Sequence, residues 1–194
     1  MILLLAIAAG LLAGLARARY RNGHLKSPDL RLVWLVPIAF LPQWLAFNLP
    51  LTRRLATDNL AAAALVSSQA LLLVFAWFNR IQPGFWALGT GLVLNLTVIS
   101  LNGGFMPVSP EVVEKLLPDA PADAWQVGER VGWNIVLSVT DTRLWWLSDH
   151  LLLPAWFPVR KALSIGDVLI AVGAFWYLWA LGGPGQEEEK RSSE

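Results

Sequence analysis

Cysteine is absent from this chain of 194 residues, and histidine occurs only as His24 and His150. Those two gaps exclude a disulfide framework, a thiolate nucleophile and a Cys- or His-rich metal centre. No metal and no cofactor are therefore expected. Charge is also scarce, at 15% of residues, against about 25% in an average soluble domain. The formal net charge of +1, with no basic stripe interleaved with aromatics, excludes a nucleic-acid partner.

What the chain does have is apolar length. It is 56% hydrophobic with eleven tryptophans, and tryptophan collects at membrane–water interfaces. The expected partner is a lipid bilayer. The expected fold is an all-α polytopic membrane protein, one membrane domain over residues 1–185 with about five transmembrane helices. The spans fall at about 1–16, 32–51, 60–78, 85–101 and 167–181, where apolar runs approach the roughly 20 residues needed to cross a bilayer. Residues 102–163 form a structured outer loop, and the charged stretch 186–194 reads as a disordered tail.

Local signals fill in this outline. Arg17, Arg19, Arg21, Lys26 and Arg31 follow the first apolar run, so it reads as a retained helix and not as a cleaved signal peptide, whose charge comes first. Gly10 and Gly14 have the small-xxx-small spacing that permits close helix contact. The second span carries Pro37 and Pro42, together with Gln43 and Asn48, which need partners in the bundle. Arg53, Arg54 and Asp58 read as a short polar loop, and Asn79 to Gly84 as a turn. Ser109 or Pro110 opens a short helix to Leu117, with Glu111 in its first turn. Val136 to Val139 has the look of a strand. Leu144 to Pro158, aromatic and short, reads as an interfacial or re-entrant segment. Basic residues in the short loops place the N-terminus outside and the C-terminus in the cytoplasm.

Two carboxylates stand out, Asp149 and Asp167, both at the outer face under this topology. Ser164-x-x-Asp167 fits a capping-box-like helix start, with the acid near the positive end of the dipole. That accounts for Asp167 without any function. Asp149 likewise fits an N-cap or an acid paired with Arg143, Arg160 or Lys161. The functional alternative joins them: two nearby acids do not readily both ionise, so one is a general base on water while the other, protonated, polarises a carbonyl. Asn102, Gly103 and Gly104 form a turn that would let backbone approach a substrate. Asn95, polar inside a span, needs a partner and joins the candidate substrate-binding residues.

The order Asn102-Gly103-Gly104-x-Met106-Pro107-Val108-Ser109, then Leu147-Ser148-Asp149, then Ser164-Ile165-Gly166-Asp167 resembles a family of small bacterial integral membrane proteins of unknown function. That resemblance implies a bacterial plasma-membrane location and no activity. Trp146-Leu147-Ser148-Asp149 and Ser164-Ile165-Gly166-Asp167 are also similar to the two aspartate motifs of lipoprotein signal peptidases. This implies an Asp149–Asp167 catalytic dyad. The Asn-bearing stretch Gly91 to Leu96 departs from the peptidase pattern, with Val98 and Ile99 near where an Asp-Arg pair would stand. The functional expectation is a paired-aspartate site of aspartyl-hydrolase type acting on a lipid-linked or membrane-peptide substrate. Its competitor is a non-catalytic accessory subunit of a membrane complex, or a binder of a small apolar ligand or lipid.

Overall fold

The computed structural model describes residues 2–47, 57–118, 121, 125–154, 156–157 and 159–183. Among the described residues, six α-helices lie in chain order: α1 (Ile2–Tyr20), α2 (Leu35–Phe47), α3 (Asp58–Phe78), α4 (Phe85–Leu101), the short α5 (Pro110–Leu116) and α6 (Ile165–Ala180). α1 and α3 are long and apolar enough to cross a membrane, whereas α2, α4 and α6 are apolar but shorter. Packing runs as a chain from α1 to α6, α6 to α4, α4 to α3, and α3 to α2.

Small residues set the close contacts. A Cβ added at Gly10 would meet the carbonyl oxygen of Phe175 at 2.8 Å, and one at Gly14 that of Leu178 at 2.5 Å. The predicted small-residue face of α1 is thus its seam with α6. Gly91 does the same between α4 and α6, where a Cβ would sit 2.5 Å from the oxygen of Gly166. Between α2 and α3, Gln43 donates Nε2–H to Ser68 Oγ at 2.7 Å, the partner that a buried amide requires. Asn48, Arg53 and Arg54 lie outside the described residues, as does the tail 186–194.

Helix bounds differ from the expected spans for local reasons. α1 continues past residue 16 to Tyr20, because Arg17 and Arg19 suit the last turn, where the dipole favours cations. Asp58, expected in a loop, begins α3 behind the N-cap Thr57, whose side chain accepts from Leu60 N–H. α6 starts at Ile165, ahead of the expected 167, because Ser164 is its N-cap.

The all-α expectation needs a correction in residues 102–163. Here β1 (Met106–Val108) pairs in parallel with β3 (Asn134–Val136), which pairs antiparallel with β2 (Arg130–Val131). β4 (Leu151–Leu152) pairs antiparallel with β5 (Ala162–Leu163). Glycines and prolines interrupt helical runs here, so the backbone polar groups pair between segments. The strand expected at Val136 to Val139 lies instead at Asn134–Val136, and Val136 alone is common to both. Leu144 to Pro158 is no membrane helix among its described residues: Trp145–Leu147 makes one turn of 3₁₀ helix and the chain then enters β4. Phe105, Met106 and Leu147 bury themselves against Leu65, Val98 and Ile99 of α3 and α4, seating the strands on one end of the helices.

Candidate functional site

Asp167 is held from three sides. Its backbone N–H donates to Ser164 Oγ at 3.0 Å, and its Oδ2 accepts from Ser164 N–H at 3.4 Å, completing the capping box foreseen from Ser164-x-x-Asp167. From α4, Asn95 donates Nδ2–H to Asp167 Oδ1 at 2.9 Å while its own Oδ1 accepts from Ser164 Oγ–H at 2.9 Å. The Asn95 side chain fits because Gly166 has no Cβ: one built there would overlap its carboxamide. The costly asparagine inside an apolar helix is therefore satisfied, and it joins the first turn of α6 to α4.

Strands β1 and β3 position Asp149. Its N–H donates to the carbonyl oxygen of Pro107 at 3.1 Å, and its Oδ2 accepts from Asn134 Nδ2–H at 2.8 Å. Asn134 also donates to the carbonyl oxygen of Met106 at 3.2 Å, so β1 and β3 together hold one side of the carboxyl group. The β4–β5 register, Leu151 opposite Leu163, continues toward Asp149 on one strand and the start of α6 on the other. That is how residues eighteen apart in sequence reach the same end of the molecule.

Asp149 is only 7% exposed. Burial, and behind it the charge of Asp167, push its pKa up to about 7, against the opposing pulls of Asn134 and Lys161. Desolvation disfavours the charged form, and a like charge nearby disfavours it again. No ion pair joins Asp149 to Arg143, Arg160 or Lys161 among the described residues, so the salt-bridge account of this acid does not hold.

Asp149, Asp167 and Asn95 line one cavity of about 430 Å³, together with Gln43, Gln69 and apolar side chains of α1, α2 and α3. A second cavity of about 300 Å³, lined by β1, β2, β3, β5 and α5, shares Trp133, Asp149 and Lys161 with the first. Lys161 Nζ lies 5.0 Å from the Trp133 ring centroid, so a cation–aromatic pair stands at the junction beside Asp149.

The structure does not bring the Asn102 turn to this cavity. Asn102 donates Nδ2–H to the carbonyl oxygens of Val98 and Arg143 at 2.7 and 2.9 Å, and accepts from Arg143 N–H at 2.9 Å. Its side chain is fully used in fastening Arg143. Gly103 and Gly104 adopt φ of +75° and +85°, and a Cβ on Gly104 would lie 2.5 Å from that of Ala62. Their work is a tight turn against α3. His150 Nδ1 meets the Ser148 carbonyl oxygen at 2.9 Å, and its ring stands edge-on to Trp145.

Sequence reasoning missed Asn134 altogether and gave Gln69 no part in the site. The available signal was slight: each is a carboxamide in an otherwise apolar or β-forming stretch, where an unpaired amide is costly. Among the described residues, no group of three or more His, Asp or Glu side chains forms a candidate metal site.

An uncharacterised protein of Thermotoga maritima is 36% identical over 111 residues, covering 54% of this chain and 55% of the relative. The match thus spans about half of that protein's length. No solved structure matches. These findings support the resemblance to an uncharacterised family and lend nothing to the one with lipoprotein signal peptidases. The model of a family of unknown function, DUF5317, matches residues 27–179, and the chain belongs to that family.

Proposed function

We propose that this is a bacterial plasma-membrane protein of five spans, α1, α2, α3, α4 and α6, with a paired-aspartate hydrolytic site at its outer face. The outward faces support the membrane reading, because large apolar side chains such as Leu4, Leu12, Trp77, Trp86 and Trp176 are exposed on them. Arg17, Arg19, Arg21, Arg31 and Arg80 gather at the end away from the cavity, and the rule that basic loops stay inside makes that end cytoplasmic.

One observation carries the catalytic reading: two carboxylates share a cavity, one buried and poised to hold a proton, the other held by Asn95 and Ser164. In this reading Asp167 takes a proton from water as the oxygen adds to the carbonyl carbon of an amide or ester, and Asp149 gives its proton to the carbonyl oxygen. Collapse breaks the bond to the leaving group, which takes the proton from Asp167, and Asp149 recovers its own. The outer cavity that meets the site at Asp149 is the route for water.

The test is turnover by the full chain in proteoliposomes, offered acylated and lipid-linked peptides. Asp149→Asn and Asp167→Asn are each expected to cut the rate about 10²–10⁴-fold, the size of an acid–base contribution. Activity of the unaltered chain should also fall above a pH of about 7, where Asp149 loses its proton. Full turnover by either variant would sink the reading. A second reading, a ligand-holding or accessory subunit, is favoured by the way Ser164 and Asn95 satisfy Asp167 without substrate. It predicts ligand retention with no product.

A further inference from the structure

At the end of the molecule away from the two acids, α3 and α4 leave a groove on their outward side. One wall is the stripe Leu73, Trp77 and Arg80, which follows α3 past its end, and the other is Trp86, Gly89 and Val93 of α4. Both stripes step by three or four residues, the spacing that keeps side chains on one helix face. The groove holds about 210 Å³. Its floor is low, because Gly89 has no side chain, and a Cβ built there would lie 3.8 Å from that of Ala76, an ordinary contact. Trp77 and Trp86 rise on either side, 60% and 68% exposed.

Position along the helices sorts this lining. Arg80 lies beyond the last residue of α3, and seven residues separate it from Leu73, as they separate Trp86 from Val93. At 1.5 Å per residue the groove therefore runs about 10 Å inward from the helix ends. Among the described residues, Arg80 is the one charged member of the lining. Its guanidinium carbon lies 4.6 Å from the Trp77 ring centroid, and its Nη1–H donates to the Trp77 carbonyl oxygen at 3.0 Å. The head is thus held at the mouth of the groove with most of its N–H donors unused. No carboxylate among the described residues forms an ion pair with it. Gln82 brings Asp29 to this turn by donating to its carbonyl oxygen at 2.9 Å, yet the Asp29 carboxylate does not pair with Arg80. Arg31, whose backbone Asn79 grips, adds a second positive charge nearby.

An arginine bonded to one of the last carbonyls of its helix needs no ligand to explain it. Arg17 meets Trp179 in the same way, 4.0 Å from its ring centroid, but the hollow beside that ring is lined by α6 alone. At α3 and α4 the held guanidinium stands instead at the end of a groove with two walls. In the proposed orientation this groove opens on lipid and its charged mouth lies at the inner interface. Basic pockets between membrane helices on that side suit acidic phospholipid heads. A phosphate takes paired N–H bonds from a guanidinium, and a choline head brings a second cation beside Arg80.

We propose that the α3–α4 groove binds an anionic phospholipid of the inner leaflet, with its phosphate on Arg80 and one acyl chain lying along Gly89. This goes beyond the hydrolytic reading and rests on the membrane reading alone.

The experiment uses the full chain in phosphatidylcholine nanodiscs that carry a small share of a photoactivatable lipid. The two probes are phosphatidylglycerol and phosphatidylcholine of equal chain length, each with a diazirine in one acyl chain. The phosphatidylglycerol probe is expected to label residues 73–93 about fivefold more than its zwitterionic match, the size expected of one basic residue at an acidic surface. Arg80→Gln should bring that ratio close to one. Gly89→Leu, which keeps the arginine and fills the groove, should do the same, so a folding defect in one variant leaves the other to decide. Arg19→Gln, which removes an exposed arginine from the same end, should leave the ratio unchanged. Equal labelling by the two probes, or a preference that survives Arg80→Gln, would overturn the proposal. An equal loss in Arg19→Gln would overturn it by reducing the effect to the general attraction of a basic surface. Displacement by glycerol phosphate as effective as by unlabelled phosphatidylglycerol would also overturn it, since the groove would then contribute nothing. Failure of the chain to enter nanodiscs ends it together with the membrane reading, whereas equal labelling leaves that reading standing.

Discussion

Residues 29–35 and 141–147 share the pattern Asp-x-Arg-Leu-x-Trp-Leu, and the likeness continues at the same spacing through Pro42 and Pro154, then Trp44 and Trp156. The two copies sit at opposite ends of the molecule and are fastened alike. Asn79, the C-cap of α3, donates to the carbonyl oxygen of Arg31 at 2.9 Å and accepts from its N–H at 2.7 Å. Asn102, the C-cap of α4, grips Arg143 in the same two-handed way. The leucine that follows each arginine has φ of +55°, a conformation bulky side chains seldom adopt. What differs is the continuation. Val36-Pro37 carry the first copy on into α2, whereas Ser148-Asp149 turn the second out of its helical turn and into the cavity wall. One anchoring device thus serves as plain architecture at one end and as the mount for an acid at the other.

Breaking the two anchors separately should show that contrast at full strength. Asn79→Ala and Asn102→Ala each remove two hydrogen bonds to the part-buried backbone of an arginine and one to a carbonyl a turn back, and each is expected to cost about 3 kcal/mol at about 1 kcal/mol per bond. Thermal unfolding in detergent should shift by similar amounts for both. Turnover, measured below the unfolding range, should fall for Asn102→Ala and hold for Asn79→Ala. Equal functional loss in the two variants would mean that the outer anchor does not mount the site.

A smaller effect is expected where α6 meets α4. Gly166→Ala places a methyl group on the Asn95 carboxamide, an overpacking worth about 1–3 kcal/mol. It should also loosen Asp167. Gly103, where a Cβ meets nothing within 4 Å, is the outer-end control on space, although its φ of +75° adds backbone strain of its own. A Gly166→Ala stability equal to that of the unaltered chain would show that Asn95 has another seat.

The gentlest probe is pH. Asp149 has a pKa raised by burial to about 7 from an unfolded value near 3.8. The folded chain therefore holds more protons than the unfolded one between those two values. Stability is lost as pH rises through that window and regained on acidification. Melting temperature should climb as pH is lowered from neutrality toward 5, and Asp149→Asn should flatten the climb. The inner copy has Pro37 at the matching position, so no such dependence is expected from it. A climb that persists in Asp149→Asn would assign the titration elsewhere.

Much of the helical outline was legible in the chain. Apolar runs marked α1, α3 and α4, Pro83-Gly84 marked their turn, and Ser164-x-x-Asp167 marked the start of α6. Asp149 and Asp167 were legible as candidates because carboxylates are rare beside apolar segments. The strands of residues 102–163 were not, since most are two or three residues long and owe their existence to partners far away in sequence. Asn102 misled for a related reason: an Asn-Gly-Gly turn reads the same whether its side chain meets a substrate or the backbone of Arg143. The repeated Asp-x-Arg-Leu-x-Trp-Leu pattern was the signal in the sequence that would have favoured the anchor.

By itself, the sequence determined apolar length, helix ends and the supply of acids, because hydropathy, capping and the helix dipole act over a few residues. Tertiary structure decided which acids line one cavity. Only the β4–β5 pairing turns Asp149 toward the start of α6, only the glycine at 166 admits Asn95 to Asp167, and only the packing order of the helices leaves α1 and α2 apart. Each of these depends on contacts between residues distant along the chain, where local propensity carries no information.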